Sequence, residues 1–236
     1  MTRIRFATLI AGLIAVLVVS SDIARAQDPL TAYPNNYKLI FENADVQVMH
    51  VHYGPHEKVG VHDHSRFPTV YVYLNDAGQV RYSHEDATPF TITRSAVKAG
   101  SFRVSPGRLE THTVENLGDQ ATDFLRIEMK KLQLGHALRT ARQGAPATLE
   151  PGTKEEFSSP ELTIQRVVVA GGAGGKLPNG GGAALMVALG PMKIAGVASK
   201  DMQPGDVAWV QPSSQIAMSS ATSAPAQVLL LTLHSK

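Results

Sequence analysis

Cysteine is absent from all 236 residues, which excludes disulfide staples and a lipid anchor on cysteine. The fold must then rest on its core alone. Long apolar runs are also missing after the first 20 or so residues: no later segment approaches the roughly 20 apolar residues that a membrane-spanning helix needs. The one apolar run, Phe6 to Val19, follows Met-Thr-Arg-Ile-Arg and ends at Ala24-Arg25-Ala26, a small-x-small cleavage signal before Gln27. Residues 1–26 therefore read as a secretory signal peptide. "TRIR" is not a twin-arginine pair, so ordinary export is expected, with the mature chain periplasmic or secreted and outside the membrane.

A charge of either sign is lacking too. The chain has 22 basic and 20 acidic residues; the leader takes Arg3, Arg5, Arg25 and Asp22 with it, leaving 19 of each. Nucleic acid is not an expected partner, because phosphate binding needs a basic footprint.

What is present is β-structure. "DVQVMHVHY", "TVYVYL", "QVRYSH", "FTITR", "SFRVS", "THTVEN" and "DFLRIEMK" are rich in β-branched and aromatic residues. Turn signals separate them at the spacing of an antiparallel sandwich or barrel. Gly, Pro, Thr and charge without apolar periodicity then mark 136–160 as a linker, with a short helix at its start. "LTIQRVVVA", "ALMVALG", "DVAWVQP" and "AQVLLLTLH" follow. The expected organisation is all-β, with a domain over 27–135 and a smaller one over 161–236.

The chemistry-bearing stretch is "VHDHSRFPTV". In a strand, His62 and His64 project from one face and Asp63 from the other, so the two imidazoles form half of a metal site. The other reading of a lone H-x-H is chance spacing on a surface. Further along, "GSFRVSPGRLETHTVEN" carries Gly100, Pro106, His112 and Asn116. Together these stretches resemble the two motifs of the cupin superfamily, G-x5-H-x-H-x3,4-E-x6-G and G-x5-P-x-G-x2-H-x3-N. His62, His64 and Gly78 match the first, and Gly54 is a loosely spaced leading glycine. The second is matched with Gly107 directly after the proline and the histidine one residue late. The resemblance spans about Tyr37 to Lys130 and implies a jelly-roll β-barrel.

The family's glutamate is missing, since Pro68 and Thr69 occupy its place. The resemblance then implies a three-histidine site, His62, His64 and His112, holding one divalent transition metal. Iron leads by analogy with three-histidine dioxygenases of the family; imidazole also suits zinc, copper, nickel or manganese. Three neutral ligands leave the metal's charge uncompensated and favour water, hydroxide or an anionic substrate at open positions. Glu110, two residues from His112, is a candidate extra ligand, as is Glu57 on the approach loop. His56 is a candidate acid–base group or a support for the ligands. Tyr71 is a candidate substrate contact or a core residue. Arg126 either pairs with Glu128 or, facing inward, holds a substrate carboxylate. His50 and His52 are expected outside, on a half-wet sheet, while His84, His136 and His234 have no constellation to join.

In the second half, "GGAGGKLPNGGG" fails both the P-loop and the dinucleotide patterns and reads as a strand connection. "MQPGDVAWVQPSSQIAM" resembles the cupin second motif, with Met218 where His112 stands, so this half is expected to be a degenerate cupin-like domain without metal ligands that packs or forms a homodimer. Two functions follow: an exported metalloenzyme, oxygenase chemistry first, acting on a small molecule, or a non-catalytic protein that binds a metal or small ligand.

Overall fold

The structure, a computed structural model, describes residues 27–85, 87–132, 141–178, 181–196 and 200–234. The leader, the short helix expected at the start of the linker and His136 lie outside the described residues.

A single helical turn, α1 (Pro29–Ala32), is capped by the Asp28 carboxylate, which accepts from the Leu30 amide. Ten strands follow: β1 (Tyr37–Glu42), β2 (Val46–Tyr53), β3 (Lys58–His64), β4 (Thr69–Tyr73), β5 (Val80–His84), β6 (Phe90–Arg94), β7 (Phe102–Ser105), β8 (Glu110–Asn116), β9 (Thr122–Met129) and β10 (Ala141–Gln143). They form two antiparallel sheets, β1-β2-β9-β4-β7-β10 and β3-β8-β5-β6. Nine more, β11 (Gly152–Ser158), β12 (Leu162–Val169), β13 (Gly174–Lys176), β14 (Ala183–Ala188), β15 (Met192–Ala195), β16 (Lys200–Met202), β17 (Val207–Val210), β18 (Ala217–Ser220) and β19 (Ala226–Leu233), form the sheets β11-β12-β19-β14-β17 and β13-β18-β15-β16.

Side-chain alternation decides how the sheets stack. On β2, β4 and β9 the residues Met49, Val51, Tyr53, Tyr71 and Phe124 face the smaller sheet and pack with Val59, Val80 and Val114. Their neighbours Val48, Val70, Val72, Leu125 and Ile127 face the other way and share one buried core with Leu162, Ile164, Leu185, Val187, Leu229 and Leu231. The two halves are thus joined back to back through their larger sheets. A third core, including Met186, Met192, Met202 and Met218, fills the second half.

Part of the stretch read as a linker is structured. β10 adds to the edge of the first half's sheet beside β7, and β11 opens the second half by pairing with β12. Apolar periodicity fails there because both are edge strands: β11 is mostly exposed, and β10 has only three residues. The glycine-rich stretch is in part a strand, β13, paired with β18.

Candidate metal centre

β3 is bent by a bulge between Val59 and His62. The extra residue lets Val59, His62 and His64 all face the interior, where strict alternation would have placed Val59 and His62 on opposite faces. Gly60 sits in the bulge because a Cβ there would lie 2.2 Å from the Tyr33 hydroxyl. The pairing then lines up the site across three strands: His62 opposite His112, His64 opposite Glu110, and His112 opposite His84. Pro106-Gly107 reverses the chain into β8. Gly107 has φ +83, and a Cβ on it would meet the Phe67 backbone at 2.5 Å. Asn116 closes the far end of β8 by donating to the carbonyls of Gly54 and Gln120 and accepting from the Gly118 amide.

His62, His64 and His112 are buried, and one nitrogen from each lies within 4.8 Å of the others. His62 Nδ1 is 2.9 Å from the Gly60 carbonyl, to which it donates. That contact fixes the tautomer and leaves Nε2 as a lone pair turned inward. His62 Nε2 is 3.1 Å from His64 Nε2 and 2.9 Å from the Tyr37 hydroxyl, which in turn meets the Tyr53 hydroxyl at 2.6 Å. His64 Nδ1 and both nitrogens of His112 have no hydrogen-bond partner. An unsatisfied buried polar group costs about 1–3 kcal/mol, so a divalent cation at the inward nitrogens would relieve part of a cost that this arrangement otherwise carries. Burial, reinforced by the Arg126 charge and by the other imidazoles, holds His64 and His112 well below the ordinary histidine range; burial also lowers His62. All three are neutral at pH 7, the form that ligates metal. The residues present therefore fit a three-histidine metal site.

The remaining candidates separate. Thr69, in the glutamate position, spends its hydroxyl on the Phe67 carbonyl. Glu110 lines the cavity, but its carboxylate faces Arg108 at 3.3 Å and Arg126 at 3.7 Å and is not grouped with the imidazoles. Glu57 clamps its own turn by accepting from Gly54 and Asn36. His56 is exposed, has φ 55 and is paired with Asp119 at 2.8 Å; it does not line the cavity. Arg126 faces inward and also pairs with Glu128, at 2.9 Å, while donating to the Tyr71 hydroxyl at 2.7 Å. Tyr71 lines the cavity between Arg126 and Arg103. His50 and His52 face Asp123 on the half-exposed outer side of β2. His234 bonds to Thr163.

Sequence reasoning missed several cavity residues. His84, read as solitary, is buried, stacks on Phe90 at 4.3 Å and stands 5.1 Å from the His112 ring, with the Arg108 guanidinium 3.1 Å from its ring nitrogen. Tyr37, Tyr53, Arg94 and Arg103 also line the cavity. A signal existed for Arg103, a charge between Phe102 and Val104 in a strand buried on both sides; the others become visible only once strand pairing is known. The cavity is small, about 20 Å³, room for about one water.

No protein-family model matches the chain, and no curated protein matches it in sequence. Solved structures do match in fold. The bacterial pirin YhhW from Escherichia coli, in complex with nickel(II), aligns over 85% of this chain and 91% of its own with a TM-score of 0.59 at 14% identity. Oxalate decarboxylase from Bacillus subtilis, with Mn(II) centres, aligns over 88% and 72% with a TM-score of 0.53 at 12% identity. Salicylate 1,2-dioxygenase from Pseudoaminobacter salicylatoxidans aligns over 80% and 71% with a TM-score of 0.50 at 13% identity. These likenesses, with two jelly-roll-like halves joined back to back, define the class as a two-part β-protein with one buried histidine cluster among the described residues. The chain has the fold of the cupin superfamily.

Proposed function

We propose that the protein is an exported cupin metalloprotein in which His62, His64 and His112 hold one divalent transition metal, iron by analogy. In this reading it is an oxidoreductase of the dioxygenase type acting on a small organic substrate. The observation that carries the reading is the convergence of three neutral, buried imidazoles on one point, two of them with unsatisfied nitrogens. The names of two proteins of similar fold, salicylate 1,2-dioxygenase and oxalate decarboxylase, support an organic acid as the substrate class. When bound, the metal supplies a Lewis-acidic centre with positions left open by its three protein ligands.

The chain's own residues would do the rest. Gly60 holds His62 in the ligating tautomer. Tyr37, once a metal takes the His62 lone pair, has a hydroxyl proton free to donate into the cavity, and Tyr53 keeps that hydroxyl oriented. Burial raises both phenols far above their ordinary range, so each stays a neutral donor. Arg126, neutralised by Glu128, orients the Tyr71 hydroxyl at the cavity wall.

One observation favours the non-catalytic alternative: a free volume of about 20 Å³ admits little beyond a water or a diatomic molecule. The test is elemental analysis of residues 27–236 beside a His62→Ala/His64→Ala variant, then oxygen uptake with a panel of organic acids. About one equivalent of metal in the parent and none in the variant supports the site, and oxygen uptake supports the enzyme. Metal without turnover leaves the binding protein; no metal in either, even after loading, sinks the enzyme and leaves a protein that binds a small ligand or a partner.

A further inference from the structure

A chamber of about 290 Å³ opens beside the histidine cavity, and among the described residues its wall carries Arg94, Lys98, Arg103 and Arg142 but no carboxylate. Lys98 is answered by Asp76 at 2.6 Å. Among the described residues no ion pair joins Arg94, Arg103 or Arg142 to an acid. Arg94 and Arg103 also line the histidine cavity, so the two spaces share a guanidinium wall.

Sheet register produces this concentration. Tyr71 on β4 stands between Arg126 on β9 and Arg103 on β7, and Arg142 on β10 pairs with Arg103 in turn. Like charges directly opposite each other across a sheet are destabilising. Arg126 has Glu128 to offset its charge at 2.9 Å; Arg103 has no ion pair among the described residues, and Glu110 on the histidine-cavity side acts on it only through its charge. Arg103 is 8% exposed, its guanidinium carbon lies 3.8 Å from the Tyr71 ring centroid, and its Nε has no hydrogen-bond partner. Arg94 reaches the same wall from the facing sheet. Burial, and after it the Arg103 charge, draws Arg94 below the ordinary arginine range. A buried guanidinium with an unused donor and two further unpaired guanidiniums around it is a costly arrangement that a bound anion would offset.

We propose that this chamber is an oxyanion site that takes the carboxylate of an organic acid between Arg94, Arg103 and Arg142, with the rest of the acid directed toward the histidine cavity. Planar guanidinium forks match a carboxylate in bidentate fashion. The chamber's volume is near the low end for small-molecule sites and suits an acid of few carbons. The anion site stands without the metal; the direction of the acid toward the histidines rests on the metal reading above.

The experiment is calorimetric titration of metal-stripped protein, residues 27–236, at low ionic strength with benzoate, succinate and inorganic phosphate as probes. The expected result is saturable binding of an acid, weakened about tenfold or more in each of Arg142→Gln and Arg94→Gln and retained in His62→Ala/His64→Ala. Arg142 is exposed, so its variant tests the site without endangering the fold. Affinity for the acids should stay level from pH 6 to pH 9, because guanidinium does not titrate there. Binding lost in the histidine variant but kept in both arginine variants would place the anion at the histidines and overturn the proposal. No saturable binding in the parent would overturn it too, and phosphate bound more tightly than either acid would overturn the organic-acid assignment. Because the protein is metal-free throughout, failure of the metal reading leaves these outcomes unchanged.

Discussion

Acid should unfold the metal-free protein through its three buried imidazoles. His62, His64 and His112 are all drawn below the ordinary histidine range, chiefly by burial. Below about pH 6.5 the unfolded chain takes up a proton at each of these positions while the folded chain does not. The unfolded state then binds more protons, so stability is fully present above about pH 6.5 and falls as the pH falls. Each group contributes up to about 1.4 kcal/mol per pH unit until its folded-state protonation point is passed. Because each unfolded-state imidazole is already half protonated at about pH 6.5, three groups acting together remove up to about 3 kcal/mol between pH 6.5 and pH 5.5, a large share of the roughly 5–15 kcal/mol that holds a domain folded. Urea denaturation of chelator-treated protein from pH 8 to pH 5.5 measures this. The variant His62→Ala/His64→Ala keeps one of the three groups and should lose about two thirds of the slope. His50, also lowered by burial, is common to both proteins and cancels in the difference. Equal slopes in parent and variant, or a flat profile in the parent, would refute the reasoning. Saturating metal should move the whole window to lower pH, since protons must then compete with the ion for the same nitrogens.

Four further outcomes are expected. Tyr37→Phe removes the hydroxyl shared by Tyr53 and His62; a loss of about 1 kcal/mol in urea denaturation, with an altered visible spectrum of the cobalt(II)-loaded protein, checks it. Gly107→Ala places a methyl group against the Phe67 backbone at φ +83 and should cost about 1–3 kcal/mol and weaken metal binding, read by denaturation and metal competition. Arg126→Met leaves Glu128 buried with Ser65 as its remaining partner; the loss should reach about 3–5 kcal/mol and be largely recovered in Arg126→Met/Glu128→Met. Met218→Ala should cost about 2–5 kcal/mol as a core cavity yet leave the metal stoichiometry per chain unchanged, as elemental analysis can show.

All seven strand stretches expected before residue 136 are found, as β2 and β4 to β9, because each is a short run rich in β-branched and aromatic residues bounded by turn signals. The three histidines were legible for a related reason: H-x-H on one strand and a lone histidine in a turn-strand motif form a local pattern that survives without knowledge of pairing. The cationic wall was not legible. Arg103, Arg142 and Arg126 are far apart in sequence and become neighbours only when β10, β7, β4 and β9 line up. His84 joined the site in the same way, through its place opposite His112. Sequence periodicity reports which face a residue takes, whereas these sites depend on which strand lies beside which.

The second half repeats this frame with other residues in the place of the histidines. Its sheets, β11-β12-β19-β14-β17 and β13-β18-β15-β16, repeat strand for strand the order β1-β2-β9-β4-β7 and β3-β8-β5-β6. Where the first half has the row His62, His112, His84 across β3, β8 and β5, the second has Gly175, Met218 and Ile194 across β13, β18 and β15. β13 is three residues long against seven for β3, so the strand that carries the paired ligands has shrunk as well. Buried imidazoles without partners cost free energy that a ligand must offset. A half without that ligand gains by filling the same space with Met186, Met192, Met202 and Met218. The larger sheet is kept, since its outer face, with Leu229, Leu231 and Leu185, completes the core beneath Val70, Val72 and Ile127 of the first half. Arg166 reinforces the joint by donating to the Gly100 carbonyl at 2.7 Å, at the glycine that opens the second motif of the first barrel. The second barrel thus backs the sheet that carries Tyr71, Arg103 and Arg126.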